Sequence, residues 1–245
     1  MESGYEGVIP PERELTGQEY HVMSEKEREG GDFQAAVEDA ARASAIYLTE
    51  GNPIKAAEAK SSEFLAHRHL FETTGQEQHR DNARKAIEES VKIIRDSGEK
   101  IGLGTPLYNL AKFYQTTGEF DLSIGAMKDA LNAFRNAPED PMGFSGHIAE
   151  ISTRLAAFEY RQRDDSAQSR FDEALEELRK NPHPDAYSQL VWFSGAHMHM
   201  AEAYFARREK DKALEQLGLA EQIVKGDERL KVRQDQLAEL KKRLV

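Results

Sequence analysis

Apolar residues along this chain recur three and four positions apart, and each run stops at a short polar turn. That spacing puts them on one face of an α-helix. The stretch LYNLAKFYQTTGEFDLSIGAMKDALNAF (107–134) shows the element most clearly. Leu107, Leu110, Ala111 and Tyr114 form one stripe. After Gly118 a second stripe runs through Phe120, Ile124, Met127, Ala130, Leu131 and Phe134. The pattern predicts helix, tight turn, helix, with Gly118 ending the first helix because glycine enters the left-handed region at no steric cost. There is no Asn-Gly hairpin signal and no sustained period-two alternation, so strands are not expected.

The same element recurs. Tyr20, Met23 and Ser24 precede Gly31, and Ala36, Ala40 and Ala43 follow it. Phe64, His67, Arg68 and Phe71 precede Gly75, and Ala83, Ile87, Ser90 and Val91 follow. His197, Met200, Ala201 and Tyr204 precede the turn RREKD (207–211), and Ala213, Leu217 and Ala220 follow. A looser copy around Ile151, Leu155, Phe158, Ala167, Phe171 and Ala174 has no turn glycine. Equivalent positions Ser24, Arg68, Ala111 and Ala201 set a period of about forty-four residues. Asn52-Pro53, Thr105-Pro106 and Asp140-Pro141 each place a capping residue before a proline suited to a first helical turn, and Asp185 is a further candidate cap.

These residues resemble the tetratricopeptide repeat family: Leu107, Leu110, Ala111, Tyr114, the GEF turn, Ser123, Met127 and Ala130 match its pattern closely. The likeness covers roughly residues 17–225 and departs from the usual thirty-four-residue repeat. It is nearer the long-repeat branch of kinesin light chains, soluble NSF attachment proteins and bacterial peptide sensors. The resemblance implies an all-α, right-handed solenoid of stacked antiparallel hairpins, because a lone hairpin cannot bury its apolar face. The expected division is a flexible N-terminal arm over 1–16, five hairpins over 17–226 and a capping helix over 227–245. Asp227 would cap that last helix, and Leu230, Leu237, Leu240 and Leu244 give it one apolar stripe. The arm, with its Pro-Pro pair, is expected to stay non-helical to about residue 16 and to offer Tyr5, Val8 and Ile9 to a partner or a groove.

Composition narrows the function. A formal net charge of −11 argues against nucleic-acid binding, which needs a basic face. There is no cysteine, so thiol chemistry and thiolate metal sites are excluded. A hydrophobic share of 39% suits a thin, elongated core. No apolar run approaches membrane-spanning length, and the first residues lack the basic start and apolar run of a signal peptide, so a cytoplasmic protein is expected.

Catalytic signals are weak. The pairs His67/His69 and His197/His199 are spaced two apart, which on a helix points the rings in different directions; one packed and one groove-facing ring in each is the reading. Carboxylates such as those of FDEALEELRK lie among Lys and Arg on solvated faces. IGLGT (101–105) reads as a flexible link, and Trp192 as a contact between repeats. No enzyme activity and no cofactor or metal are expected. What remains is recognition of another protein or peptide, within a larger complex or alone. The resemblance puts the first helix of each hairpin on the concave side. Groove candidates are then Asn109, Lys112, Tyr108, His69, Leu65, His199, Met198 and Glu202, with His21 and Glu25 in the first hairpin. Asn109 stands where related proteins bond a peptide backbone; its amide both donates and accepts. A scaffold or adaptor is the leading reading. A vesicle-fusion-type adaptor gripping a coiled coil and a peptide-sensing regulator are the alternatives, with a histidine-dependent metalloenzyme behind them.

Overall fold

The computed structural model describes residues 15–244 and divides the chain into two compact units, Met1–Ile93 and Ile94–Val245. The expected arm, with Tyr5, Val8 and Ile9, lies outside the described residues as far as position 14.

The first unit is built from α1 (Gly17–Gly30), α2 (Phe33–Thr49), α3 (Pro53–Thr74) and most of α4 (Glu77–Ser97), within which the division falls. The second contains α5 (Gly104–Thr116), α6 (Phe120–Asn136), α7 (Ser145–Arg161), α8 (Ala167–Lys180), α9 (Ala186–Ala206), α10 (Lys210–Lys225), a 3-10 turn (Glu228–Leu230) and α11 (Lys231–Leu244). No strand occurs among the described residues. Successive helices pair as α1/α2, α5/α6, α7/α8 and α9/α10. In the first unit α3 also meets α4, where the buried Ser90 hydroxyl donates to the Ala57 carbonyl at 2.7 Å. The fold is therefore an all-α stack of antiparallel helical hairpins.

The hairpin turns explain the recurring glycines. Gly31, Gly75 and Gly118 have φ of 87°, 67° and 79°, the left-handed region. The two turns without glycine keep the same geometry: Arg163 and Arg208 take φ of 71° and 67°. The chain accepts that strain because the two helices it joins are already held together by their buried faces.

Small residues sit where helices touch. Ser24, Ala111 and Ala201 are buried, and the serine hydroxyls do more than leave space. Ser24 donates to Ala36 O at 2.8 Å, Ser44 to Ala56 O at 3.0 Å and Ser123 to Ala111 O at 2.8 Å. Each bond spans twelve residues and ties neighbouring helices through the second lone pair of a helical carbonyl. Arg68 departs from this rule: it is partly exposed and pairs with Glu72 at 3.3 Å, while Ala66 and His67 take the buried positions of that helix end.

Of the expected caps, Asn52 accepts from Lys55 N, and Asp185 from Tyr187 N and Ser188 N. Two others differ. Thr105 is no cap, because α5 begins at Gly104. Asp140 is a turn residue: it is buried, and its carboxylate accepts from Gly102 N at 2.9 Å and Met142 N at 2.9 Å, while α7 begins only at Ser145. The same bond shows IGLGT to be pinned rather than a loose link. Gly104 is glycine because a Cβ there would overlap the buried Phe134 ring. Asp227 caps the 3-10 turn that leads into α11, accepting from Arg229 N.

Candidate functional site

In the second unit a buried polar network joins the first helices α5 and α7. It starts from Tyr108, which helical periodicity turns towards α7 and burial leaves 3% exposed. Its hydroxyl donates to the Glu150 carboxylate, with oxygens at 2.7 and 2.6 Å. Glu150 also meets Arg154 at 3.3 Å, one turn further along α7, and Arg154 donates to Gln115 Oε1 at 3.1 Å. Their side chains are 8% and 14% exposed. Burial pushes the Tyr108 hydroxyl far up, so it remains a donor at neutral pH. Burial alone would raise Glu150 as well. The charges of Arg154 and Lys112 and the bond from Tyr108 outweigh it, and the carboxyl lies below its ordinary value.

Lys112 sits over the Tyr108 ring, its Nζ 4.1 Å from the centroid and 3.5 Å from Asn109 Oδ1. Asn109 is partly buried, at the edge of this network. On α9, His199 packs beside Phe158 with centroids 5.9 Å apart. Both of its ring nitrogens are buried without a hydrogen-bond partner. Burial, then the charge of Arg154, holds it below the usual histidine value, so it is neutral at pH 7. Glu202 accepts from Arg243 of α11 at 2.8 Å, and its exposure is 25%. Met198 is buried in the cluster where α9 meets Leu217, Leu237 and Leu240, so it packs rather than lines a surface. Trp192 stacks on Phe144 and His147 with centroids 5.9 and 5.7 Å apart, joining α9 to the segment entering α7.

The remaining expected residues belong to the first unit. Leu65 is partly buried on α3. His69 stacks on Phe33 at 5.0 Å and lies 3.2 Å from Glu72, its side chain 29% exposed. His21 bonds Ser62 Oγ at 3.1 Å, and Glu25 is exposed. Asn109, Lys112 and Tyr108 thus share one network in the second unit, His199 and Glu202 lie together on α9, and His69 and Leu65 share α3 in the first.

Sequence reasoning missed Glu150 and Arg154, and it missed Arg233 of α11, whose Nη2 lies 3.4 Å from where a Cβ on Gly195 of α9 would stand. A signal existed. Tyr108 and Glu150 are 42 residues apart, close to one repeat, and Glu150 precedes Arg154 by four, the favourable helical order for an ion pair. The fourth copy's missing glycine hid that register. A cavity of ≈ 310 Å³ lies between α6, α7 and α8, bordered by Lys128, Leu131, Leu155, Glu159 and Arg170. None of the expected site residues borders it.

The two histidine pairs differ. His67 is 7% exposed and the His69 side chain 29%, whereas His197, at 5%, and the His199 side chain, at 14%, both pack inward. His67 faces His79, with rings 5.8 Å apart. Burial first, then His79 and Lys60, lower His67 from 6.5 to about 4. A base with a depressed folded pKa binds fewer protons folded than unfolded, so its contribution is intact above the unfolded value and falls away as pH drops towards the folded one. Stability is therefore expected to decline between pH 6.5 and about 4. His67→Gln should make the decline shallower in urea titrations at pH 7 and 5. An equal decline in both proteins would assign it to His147, His197 and His199, which are also lowered by burial.

No protein-family model matches the sequence, and comparison with curated proteins finds no match. Solved structures do match the fold. One is BtubC (BKLC) from P. vanneervenii, with TM-score 0.64 and 20% identity, covering 85% of this chain and 80% of that one. A putative kinesin light chain of nearly identical TPR-like repeats from Podosopora anserina gives TM-score 0.58 and 16% identity over 86% of this chain and 96% of that one. Aspartyl phosphate phosphatase F from Bacillus subtilis gives 0.57 and 15%, over 84% and 59%. The chain has a tetratricopeptide-type helical-repeat fold, in agreement with the resemblance its residues carry. No helix among the described residues is long and apolar enough to cross a membrane.

Proposed function

We propose that this protein is an interaction scaffold that holds a peptide or partner protein against its first helices, with Asn109, Lys112, His199 and Glu202 on the recognition surface of the second unit. Leu65 and His69 serve the same purpose in the first unit. One observation carries the reading: polar side chains of α5 and α7 are held in a buried network rather than spread as a solvated fringe. Pre-positioned polar groups on rigid helices suit recognition, because little side-chain entropy remains to be lost on binding. Tyr108 fixes Lys112 from beneath, and Lys112 in turn sits beside the Asn109 amide. That amide offers a donor and an acceptor to an extended backbone. The net charge of −11 favours a protein partner over nucleic acid.

With a partner identified by affinity capture, calorimetry on Asn109→Ala and Lys112→Ala is the test. Loss of buried bonds from Asn109 should weaken binding by about 1–3 kcal/mol. Parental affinity in both folded variants would move the recognition surface elsewhere.

A further inference from the structure

The cavity of ≈ 310 Å³ between α6, α7 and α8 lies on the face of α7 opposite the Tyr108 network. Ser152, Leu155, Ala156 and Glu159 border it, whereas Glu150 and Arg154 of the network fall on the other side of the helix, as 3.6 residues per turn require. Its floor is apolar: Leu131 and Ala156 are buried and Leu155 is partly buried. Its rim is cationic. Lys128, Leu131 and Arg135 share one face of α6, and Arg170 borders the same cavity from α8. The one carboxylate among the lining side chains, Glu159, is 12% exposed and bridges two of these cations, with Lys128 Nζ and Arg170 Nη2 each at 2.8 Å. Arg170 is held further by Asp164 at 2.6 Å and by Ser166 Oγ at 2.7 Å. Arg135 is exposed and has no ion-pair or hydrogen-bond partner among the described residues. Three cations thus meet two carboxylates, Glu159 and Asp164, in a protein whose formal net charge is −11. The groove on the other flank of α6 is balanced instead: Arg95 and Lys100 line it together with Glu99 and Asp129.

We propose that this cavity binds a small organic acid, one carboxylate on a short apolar body, with Arg135 and Lys128 holding the carboxylate and Leu131, Leu155 and Ala156 covering the body. The inference goes beyond the scaffold reading and uses none of its residues. The balance of charge selects a monoanion, since one positive charge is left after Glu159 and Asp164. The volume lies at the small end of ligand pockets, which run from about 300 to 1,000 Å³, so it suits one compact molecule. The walls select a free acid over a peptide. All the lining residues lie within helices, whose backbone groups are largely engaged in their own hydrogen bonds, and Glu159 is taken by two cations. An extended peptide would bury amides there without acceptors, at a cost that an acid with no N–H avoids. The Arg135 guanidinium offers a planar fork to a carboxylate, and Lys128 has ammonium donors beyond the one at Glu159. α6 carries both, about two turns apart with Leu131 between them, so one rigid helix meets the carboxylate and the apolar body together.

The experiment is an NMR titration of the full chain, labelled at its leucine methyls, with isocaproate. Acetate, which lacks the apolar body, and isocaproamide, which lacks the charge, are the comparisons at equal ionic strength. Isocaproate should give saturable shifts of the Leu131 and Leu155 methyls, with an affinity about tenfold or more above either comparison. Arg135→Gln should weaken isocaproate binding by about tenfold, as loss of a charge-assisted bond does, and Lys85→Gln, an equal charge change at an exposed position of α4, should leave it unchanged. Arg135→Lys keeps the charge and should retain part of the affinity. Leucine methyls away from the cavity, unmoved in each variant, show that the fold is kept. Acetylated Gly-Ser-Gly-Leu with a free C-terminus distinguishes the source of the carboxylate. Binding no tighter than isocaproate supports the free acid, and tighter binding assigns a partner's chain end and overturns it. No saturable shift at Leu131 and Leu155, equal affinity for the amide, or an undiminished affinity in Arg135→Gln also overturns the proposal. The titration needs no partner protein, so its failure leaves the scaffold reading standing, and a failed partner assay leaves the acid site standing.

Discussion

Glu150→Ala is expected to destabilise the protein by about 3–5 kcal/mol, the cost of breaking a buried ion pair from one side. The carboxylate serves two partners at once. Without it Tyr108 loses the acceptor for a hydroxyl in a residue 3% exposed, and Arg154 loses its nearest counter-charge and keeps its bond to the neutral Gln115. Glu150→Gln retains an acceptor for the hydroxyl and should cost less. The double change Glu150→Leu with Arg154→Met should recover part of the loss, because replacing both partners by apolar groups removes the uncompensated charge as well. Urea unfolding of the three variants measures the series. A loss below about 1 kcal/mol for Glu150→Ala would show that the pair is solvated, as exposed pairs are.

Deleting residues 231–245 is the second change with a large effect. Leu237, Leu240 and Leu244 of α11 are 4%, 2% and 9% exposed, in one cluster with Leu230, Met198, Leu217 and Val224. Burying a leucine contributes about 1.5–3 kcal/mol, so losing three removes several, and the faces of α9 and α10 beneath them meet water. The truncated protein should melt at lower temperature and self-associate in light scattering, since an uncapped repeat end is an adhesive apolar face. A monomeric truncation with an unchanged melt would remove the capping role proposed for this helix.

Helix period and turn chemistry made most of the fold legible. Gly31, Gly75 and Gly118 marked three hairpins outright, and Asn52 and Asp185 marked two helix starts. The turns at Arg163 and Arg208 were harder, because nothing in an arginine announces a left-handed backbone; only the packing of the joined helices imposes it. Thr105 and Asp140 misled for a related reason. Both carry the cap-then-proline signature, yet the close approach of Gly104 to Phe134 and the bonds from Gly102 and Met142 to Asp140 set the local backbone instead.

The site was legible only in part. Lys112 and Asn109 follow from periodicity within one helix. Glu150 and Arg154 depend on how the third hairpin stacks on the fourth, and Arg233 on where the last helix lies over α9. Such contacts join residues 38 to 42 apart, and a single sequence encodes them only through a register that the irregular fourth repeat obscures. Met198 shows the converse: its position in the helix suggested a groove, and the arrival of α11 buries it.

Site-directed photocrosslinking tests the central claim most directly. A photoreactive side chain at Asn109, on the first helix α5, is compared with one at Glu176, half exposed on the second helix α8. Both are irradiated with the captured partner present, and adducts are read by mass spectrometry. The scaffold account predicts a partner adduct from position 109 and none from 176. An adduct from 176 alone would place recognition on the second helices and contradict it.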